Sequence, residues 1–171
     1  MKIHCINRTG RKDRRDHIQS QSWLFDVEFF AAVEADGRSR VVEACKASHR
    51  AIQTNHLASG AATDLLILED DALITSPEAY QRFVAQPPTC VTSLGSLPMA
   101  REPYFMYAQA IFIPWADLKK YGPLWDGRGN AEYAYYKTYG RIDIFSPPIV
   151  IQAPHFTSDR TGYPQSHYKF L

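Results

Sequence analysis

The chain has 171 residues, of which 45% are hydrophobic and 22% charged, and its formal net charge at pH 7 is +1. This composition excludes a disordered chain and predicts a single compact domain over residues 1–171. The near-neutral charge provides no overall field that would attract nucleic acid. The three cysteines have no paired spacing, and no apolar run could span a bilayer, so we expect a reduced, cytoplasmic chain whose membrane contact, if any, is peripheral.

The first predicted strand, over residues 2–6, is followed by a turn and by a polar helix over residues 11–20. Basic residues gather at this junction, where a strand end and a helix start both suit a bound diphosphate. Arg8 and one of Arg14 and Arg15 are therefore candidate anion ligands. The alternative is a solvated basic helix face with local salt bridges.

Aromatic and β-branched residues predict a second strand over residues 23–33. Apolar or small residues at helical spacing then predict a helix over residues 41–56. Ser48 and His49 lie on this helix, where a single histidine is more commonly a packing residue than a catalytic one.

The most informative segment is the apolar run Leu65–Leu68, which ends in three carboxylates, Glu69, Asp70 and Asp71. Four consecutive aliphatic residues suit a strand that is covered on both faces, and ligands in such sheets bind beyond the carboxyl ends of the strands. Adjacent carboxylates repel one another, so they either lie in water or hold a cation. Oxygen ligands favour Mn²⁺, Mg²⁺ or Ca²⁺ over zinc.

The remaining chain alternates between short predicted helices and strands. Ser76 and Pro77 begin a helix that ends before the prolines at 87 and 88, and Asn130 can cap a helix over residues 131–138. Between these two helices, another is predicted to begin at residues 114–117 and to end near residue 122. Strands are predicted over residues 89–94, 104–113, 142–145 and 149–152.

Three motifs in order resemble glycosyltransferase family 25, which includes lipopolysaccharide and collagen galactosyltransferases. They are Cys5-Ile6-Asn7-Arg8 with Asp13-Arg14-Arg15, Val42-Glu43-Ala44-Cys45-Lys46-Ala47-Ser48-His49, and Leu66-Ile67-Leu68-Glu69-Asp70-Asp71-Ala72. The chain departs from the family pattern at Arg8, Ala44 and Lys46. The resemblance implies an α/β GT-A type nucleotide-diphospho-sugar transferase fold, in which a single mixed, mostly parallel sheet is flanked by helices.

The resemblance also implies roles for individual residues. The metal, Mn²⁺ or Mg²⁺, would be held by Glu69, Asp70, Asp71 and a late histidine, His155. Glu132 corresponds to the general base, with Asp126 as the second choice, although a carboxylate in a first helical turn also suits the helix dipole. The residues assigned to the donor are Asn7, Arg8, Arg14, Arg15, Ser48, His49, Tyr107, Gln109 and Arg160.

The function expected from these features is inverting, metal-dependent transfer of a hexose, galactose or glucose, from a nucleotide diphosphate sugar to a hydroxyl acceptor. Lipopolysaccharide biosynthesis is the setting that the resemblance implies, with a surface glycan as acceptor and modified DNA left open. Two alternatives remain: a sugar-nucleotide-binding protein without turnover, and a metal-dependent phosphoryl-transfer enzyme that uses the same carboxylates.

Overall fold

A computed structural model describes residues 1–21, 24, 26–37, 40–95 and 108–156 of the chain. Its strands are β1 (Lys2–Asn7), β2 (Val27–Ala31), β3 (Leu65–Glu69), β4 (Ala72–Ile74), β5 (Thr92–Ser93), β6 (Ala110–Ile113), β7 (Asp143–Ile144) and β8 (Val150–Gln152). Its helices are α1 (Lys12–Ser20), α2 (Val41–Ala58), α3 (Pro77–Ala85), α4 (Trp115–Tyr121) and α5 (Ala131–Tyr139), with a 3₁₀ turn at Gly122–Leu124.

Six strands form the central sheet in the order β2-β1-β3-β6-β5-β7, and β4 pairs with β8 in a separate two-stranded sheet. In the central sheet β6 runs antiparallel to both of its neighbours, whereas the other pairings are parallel. The predicted mixed, mostly parallel sheet is therefore confirmed. The carboxyl ends of β1, β2 and β3 lie at one edge of this sheet, which we call the site edge.

Strand β3 runs through the core, and its side chains alternate between the two faces of the sheet. Leu66 and Leu68 pack in the cluster that contains residues of α1 and α3, whereas Leu65 and Ile67 pack with residues of α2, α4 and α5. All four are at most 1% exposed. The helices therefore cover both faces of the sheet, as the continuous apolar run predicts.

Both predicted helix caps are confirmed. The Ser76 hydroxyl accepts a hydrogen bond from the Ala79 N–H at 3.2 Å, directly before Pro77 in the first turn of α3. The Asn130 side chain accepts one from the Tyr133 N–H at 3.0 Å, at the start of α5. Each cap satisfies a backbone donor that the helix itself leaves without a partner.

Several predicted strands are shorter in the structure. The strand predicted over residues 89–94 is only Thr92–Ser93, and the one predicted over residues 142–145 is only Asp143–Ile144. The strand predicted over residues 23–33 is Val27–Ala31 in its described part, and residues 104–107 lie outside the described ranges. The sequence prediction also lacks β4, a three-residue strand that is defined by its pairing with β8. Such short strands depend on their partners rather than on their own periodicity.

Candidate functional site

The three carboxylates of the acidic segment divide between the two faces of the sheet. Glu69 ends β3 on the face of Leu65 and Ile67, as a period of two requires, and therefore meets α2. The chain turns at Asp70 and Asp71 before β4 begins. Because of this turn, both aspartates point to the α1 face instead of alternating.

Asp70 and Asp71 are buried against Arg14, an arginine of α1. The Arg14 guanidinium donates to Asp70 Oδ1 at 2.8 Å and to Asp71 Oδ2 at 3.3 Å. Asn7, at the end of β1, donates through Nδ2 to Asp70 Oδ2 at 2.9 Å. Arg14, Asp70 and Asp71 are 5%, 6% and 3% exposed, so the cation that these carboxylates require is supplied by the protein.

The predicted Mn²⁺ or Mg²⁺ site does not fit this arrangement. Glu69 faces α2, while Asp70 and Asp71 share a buried guanidinium, so the three carboxylates do not form one set of oxygen ligands around a common point. A hard dication at the aspartates would have to displace the Arg14 contacts. Catalysis by such an ion would therefore require a buried ion pair to break first.

Glu69 instead forms a cluster with two residues of α2 that are four positions apart and therefore on one helix face. The Cys45 thiol donates to Glu69 Oε1 at 3.2 Å, and His49 Nε2 lies 3.5 Å from the same oxygen. Burial, then the charge of Glu69 and more weakly those of Glu132 and Asp71, raise the pKa of Cys45 well above its usual value. Burial alone would raise the pKa of Glu69, but His49 and Cys45 outweigh it and lower that pKa. These three side chains are a possible ligand set for a metal.

The His49 ring continues this cluster into a buried polar network between α2 and α5. His49 Nδ1 lies 2.9 Å from the Tyr135 hydroxyl, which also accepts a long hydrogen bond from Gln53 Nε2 at 3.4 Å. The Tyr139 hydroxyl donates to Gln53 Oε1 at 2.5 Å. His49 and Tyr135 are fully buried, so this network fixes the orientation of the imidazole.

A basic cavity of about 350 Å³ lies at the site edge between the β1–α1 turn and the end of β2. Three of its charged lining residues pair with exposed carboxylates: Arg8 with Glu34 at 3.3 Å, Arg11 with Asp13 at 3.1 Å and Lys12 with Asp16 at 2.6 Å. Exposed pairs of this kind contribute about 0–1 kcal/mol and are easily exchanged for a stronger anion. The residues that line the cavity are Asn7, Arg8, Thr9, Gly10, Arg11, Lys12, Arg15, Phe29, Phe30 and Ala31.

The structure separates Arg15 from its neighbour Arg14. The Arg15 side chain lines the basic cavity with its guanidinium 4.3 Å from the centroid of the Phe29 ring, whereas Arg14 is directed inward to the acidic turn. Arg8, Arg15 and Asn7 are thus brought together at one cavity. Arg14 forms buried ion pairs, and its guanidinium therefore supports the acidic turn.

Ser48 and Gln109, both assigned to the donor from the sequence, are buried and bonded to backbone groups. The Ser48 hydroxyl donates to the Ala44 carbonyl and accepts from the Val33 N–H, both at 2.8 Å. Gln109 Nε2 donates to the Gly95 carbonyl at 3.1 Å. These bonds hold the segments after β2 and β5, so both side chains support the site edge.

His155 is exposed and lies next to α1, where its ring centroid is 5.2 Å from that of His17. The adjacent Phe156 ring lies 5.1 Å from the Arg14 guanidinium carbon. The segment after β8 therefore passes close to the acidic turn. Tyr107 and Arg160, the remaining two donor assignments, lie outside the described residues.

The two candidate bases differ in their surroundings. Asp126 is bound by the guanidinium of Arg128, with a contact of 2.6 Å, and the side-chain and backbone hydrogen bonds from Arg128 lower the pKa of Asp126 to about 2. A carboxylate with so low a pKa is a weak proton acceptor. Glu132, in the first turn of α5, lies near enough to Cys45 to act on the thiol through its charge.

Sequence reasoning missed Cys45 and Lys46. Lys46, noted only as a departure from the family pattern, is buried and donates to the Gly129 carbonyl at 2.9 Å, which ties α2 to the loop before α5. The four-residue spacing of Cys45 and His49 was visible in the sequence. Their meeting with Glu69 was not, because it depends on how α2 packs on β3.

Solved structures share this fold. The TM-score with A197 from STIV is 0.60, at 10% identity, and the match covers 97% of this chain and 91% of that one. The TM-score with a glycosyltransferase involved in the glycosylation of the major capsid of PBCV-1 is 0.56, at 12% identity, and the match covers 93% of this chain and 96% of that one. The TM-score with the glycosyltransferase GlyE of Streptococcus pneumoniae TIGR4 is 0.58, at 6% identity. This match covers 99% of the present chain but only 56% of GlyE.

At these identities the likeness establishes the fold alone, and the predicted GT-A type α/β fold is confirmed. No protein-family model and no curated protein matches the sequence. None of the helices in the described ranges is both long and apolar enough to cross a membrane.

Proposed function

We propose that this protein is a glycosyltransferase that moves a hexose, galactose or glucose, from a nucleotide diphosphate sugar to a hydroxyl acceptor such as a surface glycan, with inversion. The observation that carries this proposal is the basic cavity at the site edge, in a fold shared with two glycosyltransferases. Open α/β sheets bind ligands at this edge. A cavity with several guanidinium and ammonium groups suits a diphosphate.

In this proposal the donor diphosphate binds Arg8 and Arg15, and the Phe29 ring offers an apolar surface to the nucleoside. These cations would also stabilise the charge that develops on the diphosphate leaving group. Glu132 would accept the proton of the attacking hydroxyl; it lies in the first turn of α5, a helix that packs on α2, and it does not line the basic cavity.

The test is calorimetric titration with uridine, guanosine and thymidine diphosphate hexoses, in chelator and again with Mn²⁺ or Mg²⁺. We expect one of them to bind, and Arg15→Ala to weaken its binding roughly tenfold, the effect of one charge-assisted contact. Arg141→Ala is the matched control, because Arg141 is exposed and paired with Asp143 at β7. Absence of binding, or equal affinity in both variants, would refute the proposal.

One observation favours the binding protein without turnover as a second candidate. Arg14 forms buried ion pairs with both of the aspartates that the family resemblance assigns to the metal. A donor that binds but is neither hydrolysed nor transferred, with or without Mn²⁺, would support this candidate. The same ion pairs argue against the phosphoryl-transfer alternative, which needs carboxylates that are open to metal ions.

A further inference from the structure

The donor atoms of Cys45, His49 and Glu69 lie close enough together to surround one metal ion. Its three donor atoms lie within 4.8 Å of one another, with 3.2 Å between Cys45 Sγ and Glu69 Oε1 and 3.5 Å between His49 Nε2 and the same oxygen. Zinc bonds of about 2.0–2.3 Å place neighbouring donors of a tetrahedral site about 3.3–3.8 Å apart. The two spacings to Glu69 Oε1 are close to this range, and side-chain rotation would bring Cys45 Sγ and His49 Nε2, which lie within 4.8 Å of each other, to the spacing of such a site.

The histidine of this cluster is oriented as a metal ligand. His49 is fully buried, its Nδ1 contacts the Tyr135 hydroxyl, and its Nε2 faces Glu69 Oε1 at 3.5 Å in an ion-pair contact that lacks hydrogen-bond geometry. Metal-binding histidines commonly donate their second ring N–H to an oxygen, which leaves the other nitrogen as the ligand. A buried ring nitrogen without a hydrogen bond is costly, and an ion between His49 and Glu69 would remove that cost.

We infer that Cys45, His49 and Glu69 bind a zinc-class transition-metal ion. A donor set of sulfur, nitrogen and oxygen favours zinc over Mn²⁺ and Mg²⁺, which prefer oxygen ligands alone. Binding releases the thiol proton of Cys45 to solvent, because the thiolate is the ligand.

The site has room for a fourth ligand and is independent of the proposed sugar transfer. Three protein ligands leave one tetrahedral position for water or a substrate oxygen, and the Glu69 side chain is 26% exposed at the site edge. The ion would also connect α2 to β3, on the sheet face opposite Arg14. Neither consequence requires that a nucleotide sugar bind.

The first test is titration of the chelator-treated protein with Co²⁺, followed by displacement with Zn²⁺. We expect one equivalent of Co²⁺ with a tetrahedral ligand-field spectrum and a thiolate-to-cobalt charge-transfer band. Cys45→Ser should abolish that band and weaken Zn²⁺ binding on the order of 100-fold or more, since even partners that only orient a ligand contribute 10–100-fold. Cys90→Ser is the matched control, because that thiol donates to the Asp143 carboxylate at 3.1 Å. A band that survives Cys45→Ser would overturn the inference.

Two further measurements keep the test decisive if Cys45→Ser does not fold. Tyr135→Phe removes only the hydroxyl that contacts His49 and should weaken Zn²⁺ binding roughly 10–100-fold. X-ray absorption of the wild-type zinc protein should show one sulfur neighbour at about 2.3 Å. A zinc shell without sulfur would overturn the inference, whatever the variants do.

Discussion

Replacing Arg14 with methionine tests whether the Arg14 guanidinium stabilises the acidic turn. The variant keeps the length of the side chain but leaves Asp70 and Asp71 buried without their guanidinium partner. Removing one partner of a buried ion pair destabilises a protein by about 3–5 kcal/mol, a large part of the 5–15 kcal/mol that holds a typical domain folded. We expect a loss of this size in the free energy of unfolding.

The assay is urea unfolding of Arg14→Met beside Arg15→Met. Arg15 is the next residue of the same helix, but it is exposed, and its contact with the Phe29 ring contributes about 0.5–1 kcal/mol. Mn²⁺ should then partly restore Arg14→Met, because the freed carboxylates can bind a dication; at 100 times its dissociation constant an ion adds about 2.7 kcal/mol. Equal destabilisation in the two variants would refute the assigned role of Arg14.

Three further predictions concern the other face of the sheet and the histidines. Glu132→Gln should lower turnover by on the order of a hundredfold or more with little change in donor affinity, whereas Asp126→Asn should keep its turnover; steady-state kinetics and calorimetry on both variants check this. Lys46→Met should cost about 1.5–3 kcal/mol in urea unfolding, because it removes a charged hydrogen bond to the loop before α5. Burial lowers the pKa of His4 and of His17 below 6.5, so the unfolded chain takes up protons first and stability should fall as pH drops below that value. The free energy of unfolding, measured across this pH range, should depend less on pH in His4→Gln than in the wild type.

Local patterns were enough to predict the parts of the fold that have long or periodic sequences. The aliphatic run of β3 indicated a strand covered on both faces. A period of two would place Glu69 and Asp71 on one face and Asp70 on the other, whereas Asp71 lies with Asp70 against Arg14. The turn after Glu69 could not be predicted, because it depends on the pairing of β4 with β8. The role of Arg14 was missed for a different reason: its four-residue spacing from Ile18, the one apolar residue of α1, puts both on the buried face, but its partners Asp70 and Asp71 could not be predicted.

The charges at the site edge define where a sugar nucleotide would lie. Asp70 and Asp71 share one guanidinium, so the acidic turn keeps a net negative charge and repels a diphosphate. Asn7 lies at the boundary between the basic cavity and the acidic turn, because it lines the cavity and also donates to Asp70. A diphosphate is therefore favoured on the cavity side of Asn7.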